Sequence, residues 1–263
     1  IMLGLGIMLP QVNKVSAGFS PNELGELFYY IDANNTTGWT ISVNRVATAI
    51  NRGLQSSYNF SQNSSGNRPS LVTSGGSNNK AYLNFDSSNS AVLFASDDGE
   101  TQNDVPLGEY YTIFAVTRLD TTTNGNYGIS SMRKTGLNRF MFRQVLGGVD
   151  QLQLSNWDSS GLVTDGTADT TQAETWVITV GKVYDDGGTT KVEAFINNAS
   201  NGSQTISNAL ADDNCILNIG KGNVGGQFYD GFISEFGLYN KALTTGQQQR
   251  LTKYLSFKYG INI

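Results

Sequence analysis

The 263-residue sequence predicts an all-β fold: two antiparallel sheets packed as a sandwich and closed by one short C-terminal helix. Three observations carry that expectation. Short runs of alternating apolar and polar residues recur with turn chemistry between them, which is how sandwich and barrel strands read. Charged residues make up only 15% of the chain, so its polar surface comes from Asn, Ser, Thr, Gln and Gly, residues suited to outward strand faces and turns. A single convincing helical periodicity appears, and it lies at the C-terminus.

In chain order, Ile1 to Pro10 reads IMLGLGIMLP, strongly apolar but shorter than the ~20 residues a membrane helix needs. It has no basic flank before it and no small-residue cleavage site after it, so it does not read as a signal peptide. An apolar arm of this kind calls for a cover. Ile1, Met2, Leu3, Leu5, Ile7, Met8 and Leu9 are the candidate anchor, docking the chain into a larger assembly or a second copy. The other reading is a first strand tucked against the chain's own core. Residues 1–22 are therefore taken as arm and linker, and residues 23–263 as the sandwich.

Leu27 to Asp32 is rich in aromatic and β-branched residues and reads as a strand; residues 51–79 read as long loops around short strands. Tyr82–Phe85 and Ala91–Phe94 flank a turn and are expected to form a hairpin. Tyr111 to Arg118 is apolar on both faces, as befits a strand covered on both sides. Phe140 and Phe142 alternate with Arg139, Met141 and Arg143 as a half-exposed strand, and Leu152 and Leu154 alternate with Gln151 and Gln153. Trp176, Ile178 and Val180 share one face of the next strand, which Asp186-Gly187 turns into Lys191–Ile196. Phe232, Phe236 and Leu238 are expected on one face of the last strand. Thr244 and Gln247 form a capping box, Leu251, Tyr254 and Leu255 an apolar stripe, and Gly260 a left-handed cap.

Composition excludes several chemistries. There is no histidine, which removes Ser-His-Asp and Cys-His catalysis and every His-ligated metal site. The single cysteine, Cys215, allows no intrachain disulfide and reads as a small buried hydrophobe. A net charge of −5 argues against nucleic acid as partner, since phosphate recognition needs clustered cations. The densest basic group, Arg133-Lys134 with Arg139 and Arg143, is expected to be a solvated strand face.

The closing segments allow a family comparison. Phe228 to Phe236, FYDGFISEF, followed by Leu238 to Thr244, LYNKALT, and Lys258-Tyr259-Gly260-Ile261, resembles the last strand and terminal helix of concanavalin A-like lectin/glucanase (laminin-G-like) domains. Tyr30-Ile31-Asp32-Ala33, Arg68 to Val72 with Leu83 to Asp86, and Lys191 to Asn197 resemble earlier strands of that superfamily in the same order. The resemblance covers Leu24 to Ile263 and implies a jelly-roll sandwich; that fold hosts lectins, glycosidases, lyases and adhesion modules alike.

Glycosidases of the superfamily carry an E-x-D-x-x-E run, and this sequence contains none. Glu193 and Glu235 are single strand carboxylates, and Glu235 matches a structural family position. No catalytic residue is therefore assigned. For binding, Asn156, Trp157 and Asp158 are the candidate sugar contacts, read as a loop tryptophan between two polar side chains; the alternative is a rim residue folding back over the core. Asp97, Asp98 and Asp104 are candidate calcium ligands in one acidic loop, the alternative being plain solvation; no cofactor is required. The apolar arm on such a sandwich resembles bacteriophage structural proteins. The resemblance implies a non-enzymatic module on the virion surface, held through its arm to virion proteins or to itself and adhering to host-surface carbohydrate. A polysaccharide-degrading enzyme and a bacterial cell-surface adhesion module are the competing readings.

Overall fold

A computed structural model describes residues 19–96, 104–134, 137–147, 150–169, 173–210, 215–222 and 226–263. The apolar arm, Ile1 to Leu9, lies outside the described residues, as do Asp97 and Asp98. The strands, numbered in chain order, are β1 (Leu27–Asp32), β2 (Thr40–Ser42), β3 (Arg45–Ala49), β4 (Asn59–Ser61), β5 (Ser70–Val72), β6 (Tyr82–Phe85), β7 (Leu93–Ser96), β8 (Asp104–Val105) and β9 (Tyr111–Leu119). They continue as β10 (Gly125–Lys134), β11 (Leu137–Leu146), β12 (Gln151–Trp157), β13 (Val163–Asp169), β14 (Trp176–Asp185), β15 (Thr190–Ile196), β16 (Gln204–Thr205), β17 (Cys215–Ile219) and β18 (Gly231–Tyr239). One helix, α1 (Thr245–Tyr259), follows.

All pairings are antiparallel. The back sheet runs β1 and β6 end to end beside β18, then β9, β14, β15 and β16. In the front sheet β7 and β8 lie end to end beside β17, followed by β10, β11, β12 and β13. At one edge β5, β3 and β4 carry the pairing from β6 round to β7, so the two sheets join. Their inner faces share one core, with Ile113 and Ala115 of β9 in the same cluster as Phe140, Phe142, Leu152 and Leu154. The sheets approach so closely at Gly181 that a Cβ there would lie 2.8 Å from a Leu154 methyl. This is the sandwich that the alternating pattern predicts, with buried Cys215 in it.

Three local expectations are corrected. Tyr82–Phe85 and Leu93–Ser96 form no hairpin: β6 joins the back sheet and β7 the front. Between them a 3-10 turn over Ser87–Asn89, capped by the Asp86 carboxylate, sends the chain from one layer to the other. Phe232 does not share a face with Phe236 and Leu238, because a bulge between Ile233 and Glu235 shifts the phase of β18. Phe236 and Leu238 enter the core, whereas Phe232 turns to the outer face against Tyr82 and Trp176, with the Arg118 guanidinium 5.1 Å from its ring. Within the stretch taken as linker, Phe19 and Pro21 are buried against the fold.

The outer face of the back sheet is closed by α1. Leu251, Leu255 and Tyr259 of the helix pack with Tyr30, Phe114, Val116, Ile178, Val180 and Tyr239 in a second apolar cluster. The predicted ends hold: Thr244 and Gln247 cap each other, and Gly260 is left-handed at φ 64°. Beneath the helix Lys258 Nζ donates to Asp32 Oδ2 at 2.7 Å and to Glu235 Oε2 at 2.6 Å. Tyr30 and Tyr259 donate their hydroxyls to the same Glu235 carboxylate at 2.7 and 2.8 Å. Burial pushes the Glu235 carboxyl above the usual range, although Lys258 pulls it down. Burial alone would lower the Lys258 ammonium, but the charges of Glu235 and Asp32 outweigh it and hold it above the usual lysine range.

Removing the cation leaves a fully buried carboxylate unpaired, which costs about 3–5 kcal/mol. Lys258→Met is therefore expected to lose that much stability at pH ~7, and to recover part of it toward pH ~5 as Glu235 takes up a proton. Urea melts at the two values check this; a loss that is equal at both would contradict it.

Candidate functional site

With the back face under α1, the outer face of the front sheet is the broad surface that remains. Strand alternation sends Leu152 and Leu154 of β12 into the core and Gln153, Ser155 and Trp157 outward. Register then lines up one outward rung across five strands: Asn218 opposite Ser131, Ser131 opposite Met141, Met141 opposite Ser155, and Ser155 opposite Asp165. The next rung sets Gly128 opposite Arg143, Arg143 opposite Gln153, and Gln153 opposite Thr167.

Four of the five outward side chains of the first rung are withdrawn from solvent, and Asp165 is half-buried. Ser131 and Ser155 are 0% exposed, and Asn218 and Met141 are 2% exposed. Asn218 Nδ2 donates to Ser131 Oγ at 2.8 Å, whereas Asn218 Oδ1, Ser155 Oγ and Asp165 Oδ1 are buried without a hydrogen-bond partner. Gln227 lies over the β10 end of this face: its carbonyl accepts from Gly222 and Gly128, and its Oε1 is also buried and unpartnered. Arg143 Nε donates to Gln153 Oε1 at 2.8 Å. Burial lowers the Arg143 pKa and the nearby Asp165 charge opposes that shift.

The expected solvated basic face is thus only partly so. Arg139 is 2% exposed and donates to the Gly108 carbonyl at 2.7 Å, because loop backbone folds over that end of β11.

The sequence-predicted sugar contacts separate. Trp157 is not a loop residue but the last residue of β12, half-buried, facing outward two positions beyond Ser155 and opposite Val163. Val163 and Leu162 beside it are exposed, so the tryptophan heads a small apolar rim. Asn156 points the other way: it is fully buried and its Oδ1 accepts from the Tyr111 hydroxyl. Asp158 is also withdrawn, accepting from Ser160 N at 2.9 Å, Ser160 Oγ at 2.7 Å, Leu162 N at 3.0 Å and Asn208 Nδ2 at 2.7 Å. Those bonds, the Ser160 hydroxyl foremost, hold its carboxyl down at about 2. Asn156 and Asp158 therefore build the strand end and the turn after it; of the three, Trp157 alone stands on the outer face.

Of the candidate calcium ligands, Asp97 and Asp98 lie outside the described residues, and Asp104 is placed by its backbone opposite Ile216. No group of three or more metal-ligating side chains occurs among the described residues. Two carboxylates do converge, Asp32 and Glu235, but on the Lys258 ammonium under the helix and not on an open face.

Ser131, Ser155, Asp165 and Asn218 escaped the sequence reading. Each looks like an ordinary polar residue on an outward strand face, and only pairing register brings them side by side.

A family model described as the concanavalin A-like lectin/glucanases superfamily matches residues 94–247, a span that contains the whole rung. No curated protein matches the chain by sequence. Among solved structures, the botulinum neurotoxin type G receptor binding domain superposes with a TM-score of 0.54 at 12% identity, covering 88% of this chain and 51% of that one. Domain 4 of AbnA, a GH43 extracellular arabinanase from Geobacillus stearothermophilus solved in complex with arabinotriose, superposes with a TM-score of 0.54 at 16% identity, covering 86% of this chain and 98% of that one. The receptor binding domain of botulinum neurotoxin D gives 0.54 at 9% identity, over 90% and 54% of the two chains. The chain spans about half the length of those neurotoxin domains. At these identities the likeness is one of fold.

Asp158 supports the β12–β13 turn through its charge. Asp158→Asn is expected to melt at a lower temperature than the native chain near neutral pH. The gap should close as pH falls from ~4, the ordinary carboxylate value, to about 2, where the native group also loses its charge. Thermal melts across that range test it, and a gap that does not depend on pH would refute it.

Proposed function

We propose the following function for a chain that belongs to the concanavalin A-like lectin/glucanases superfamily: it is a non-enzymatic surface module that adheres to carbohydrate through the outer face of its front sheet. One observation carries the reading. Trp157 ends β12 half-buried and facing outward on the front sheet, beside the exposed Leu162 and Val163 and on the same face as Gln153 and Thr167. Trp157 adds an aromatic face for the apolar side of a sugar ring. The arabinanase domain in complex with arabinotriose supports the same direction by its likeness of fold.

The non-enzymatic part rests on carboxylate placement. Glycoside hydrolysis uses two carboxyl groups on either side of the scissile bond. Among the described residues, the five-strand rung carries one, Asp165, and the pair Asp32 and Glu235 is bridged by Lys258 beneath α1. The finer setting we propose is a virion surface, with Ile1 to Leu9 as the anchor to virion proteins or to a second copy; the support is the arm's apolar composition.

Binding to a polysaccharide panel, read beside reducing-sugar release, tests the function. The expected outcome is binding without release, weakened about tenfold, or ~1.4 kcal/mol, by Trp157→Ala with the fold intact. Release of reducing ends by the native chain would overturn the non-enzymatic reading, and unaltered binding by the variant would remove Trp157 from the site. Deleting residues 1–12 and weighing the assembly tests the anchor: a smaller particle is expected, and an unchanged mass would exclude it.

A further inference from the structure

We infer that a second contact site for an uncharged sugar unit lies on the opposite side of the sandwich, where Tyr82, Trp176, Arg118 and Asp120 stand around Phe232 on the back sheet. The class of ligand rests on the carbohydrate reading above; the place does not. Pairing register sets Phe232 of β18 opposite Arg118 of β9, and Arg118 opposite Trp176 of β14. Phe232 forms the floor, 9% exposed, with the Tyr82 ring 4.6 Å and the Trp176 ring 6.1 Å away between centroids. Tyr82 and Trp176 meet at 5.8 Å, and each is only half-buried, so part of both rings is open to a ligand.

Core packing does not account for this gathering of rings. Neither Tyr82 nor Phe232 belongs to the apolar cluster between the sheets or to the one beneath α1, and Trp176 packs at the margin of the latter. Strict alternation from Phe236 would send Phe232 inward. The bulge between Ile233 and Glu235 turns it out instead, and bulges recur where a side chain is re-aimed beside a functional surface.

Polar partners stand on the same platform. The Arg118 guanidinium lies 5.1 Å from the Phe232 centroid, its Nε donates to the Glu174 carbonyl at 3.1 Å, and its Nη2 pairs with Asp120 Oδ1 at 3.1 Å. These two side chains are 28% and 40% exposed, so a ligand reaches both. Together they offer donors and acceptors side by side, which neighbouring sugar hydroxyls match because each hydroxyl both donates and accepts. The open aromatic surfaces take the apolar side of the same sugar ring. A cation is disfavoured, because the guanidinium already holds the cation position over Phe232. An anion gains little, because the Asp120 charge offsets that of Arg118.

Trp157 and Trp176 stand on the outer faces of different sheets, and packed sheets lie about 10 Å apart. A short oligosaccharide therefore fills one site at a time, and the chain holds two.

The test uses the full chain with soluble arabinan, xylan, β-glucan and galactomannan in affinity electrophoresis. Calorimetry follows with a trisaccharide from any polymer that binds. Two trisaccharides per chain are expected for the native protein, and one for Trp157→Ala. In that variant, adding Asp120→Ala, which changes an exposed side chain, is expected to weaken the remaining binding ~5- to 10-fold at an unchanged melting temperature. Adding Trp176→Ala instead is expected to abolish it. Loss of all binding in Trp157→Ala would overturn this inference and leave the front-face reading standing. So would remaining binding that neither Asp120→Ala nor Trp176→Ala alters, or that tetramethylammonium displaces. Binding that Trp176→Ala removes and Trp157→Ala leaves untouched would support this site and remove the front one. Binding to none of the polymers would sink both.

Discussion

The Lys258 ammonium, shared between Asp32 of β1 and Glu235 of β18, ties the terminal helix to the back sheet. Glu235 is fully buried, and its two oxygens are taken up by Lys258, Tyr30 and Tyr259. A carboxylate so far from water is tolerable only when paired and hydrogen-bonded. The arrangement therefore holds the helix to one position. Once α1 is seated, the aliphatic and aromatic outer face of β9, β14 and β18 is covered, and the broad outer face that the helix leaves open belongs to the other sheet. The same contact removes the Asp32 and Glu235 carboxylates from any open surface.

The front sheet meets the opposite constraint. Its inner face is filled by Phe140, Phe142, Leu152 and Leu154, so register, not packing, decides what stands on its outer face. That face is polar, yet its central side chains are shielded by one another and by backbone, as where Arg139 reaches the Gly108 carbonyl and Gln227 bonds to Gly222 and Gly128. Buried acceptors left open are uncommon in folded proteins because water or protein normally satisfies them. Three of them in one rung across five strands, with a half-exposed tryptophan alongside, set this surface apart from an ordinary solvated strand face.

Much of the architecture was legible in the chain because it follows from local rules. Alternation fixes which side chains of β12 and β15 turn inward, Asp186-Gly187 turns β14 into β15, and Thr244, Gln247 and Gly260 bound the helix. Where local rules failed, a long-range partner had intervened. Leu93 pairs with Ile219 and not back onto β6, and a bulge opposite Val116 turns Phe232 away from Phe236. The candidate site was legible to the extent of Trp157, whose aromatic ring between polar neighbours marks it in any reading. Asn156 and Asp158 carry the same chemistry in sequence, but one residue of offset turns Asn156 to the core, and Asp158 closes a turn.

By itself, the sequence determined the fold class, the capped helix, the family likeness and the exclusion of histidine-based chemistry and of an intrachain disulfide, since composition and period-two alternation are properties of short segments. Only the tertiary structure decided which polar residues stand together. Asn218, Ser131, Met141, Ser155 and Asp165 are scattered over 88 positions of chain (131 to 218), and each becomes the neighbour of the next through strand register alone. Register is set by the whole hydrophobic pattern and the turns of the sheet acting together, so no segment read in isolation contains it.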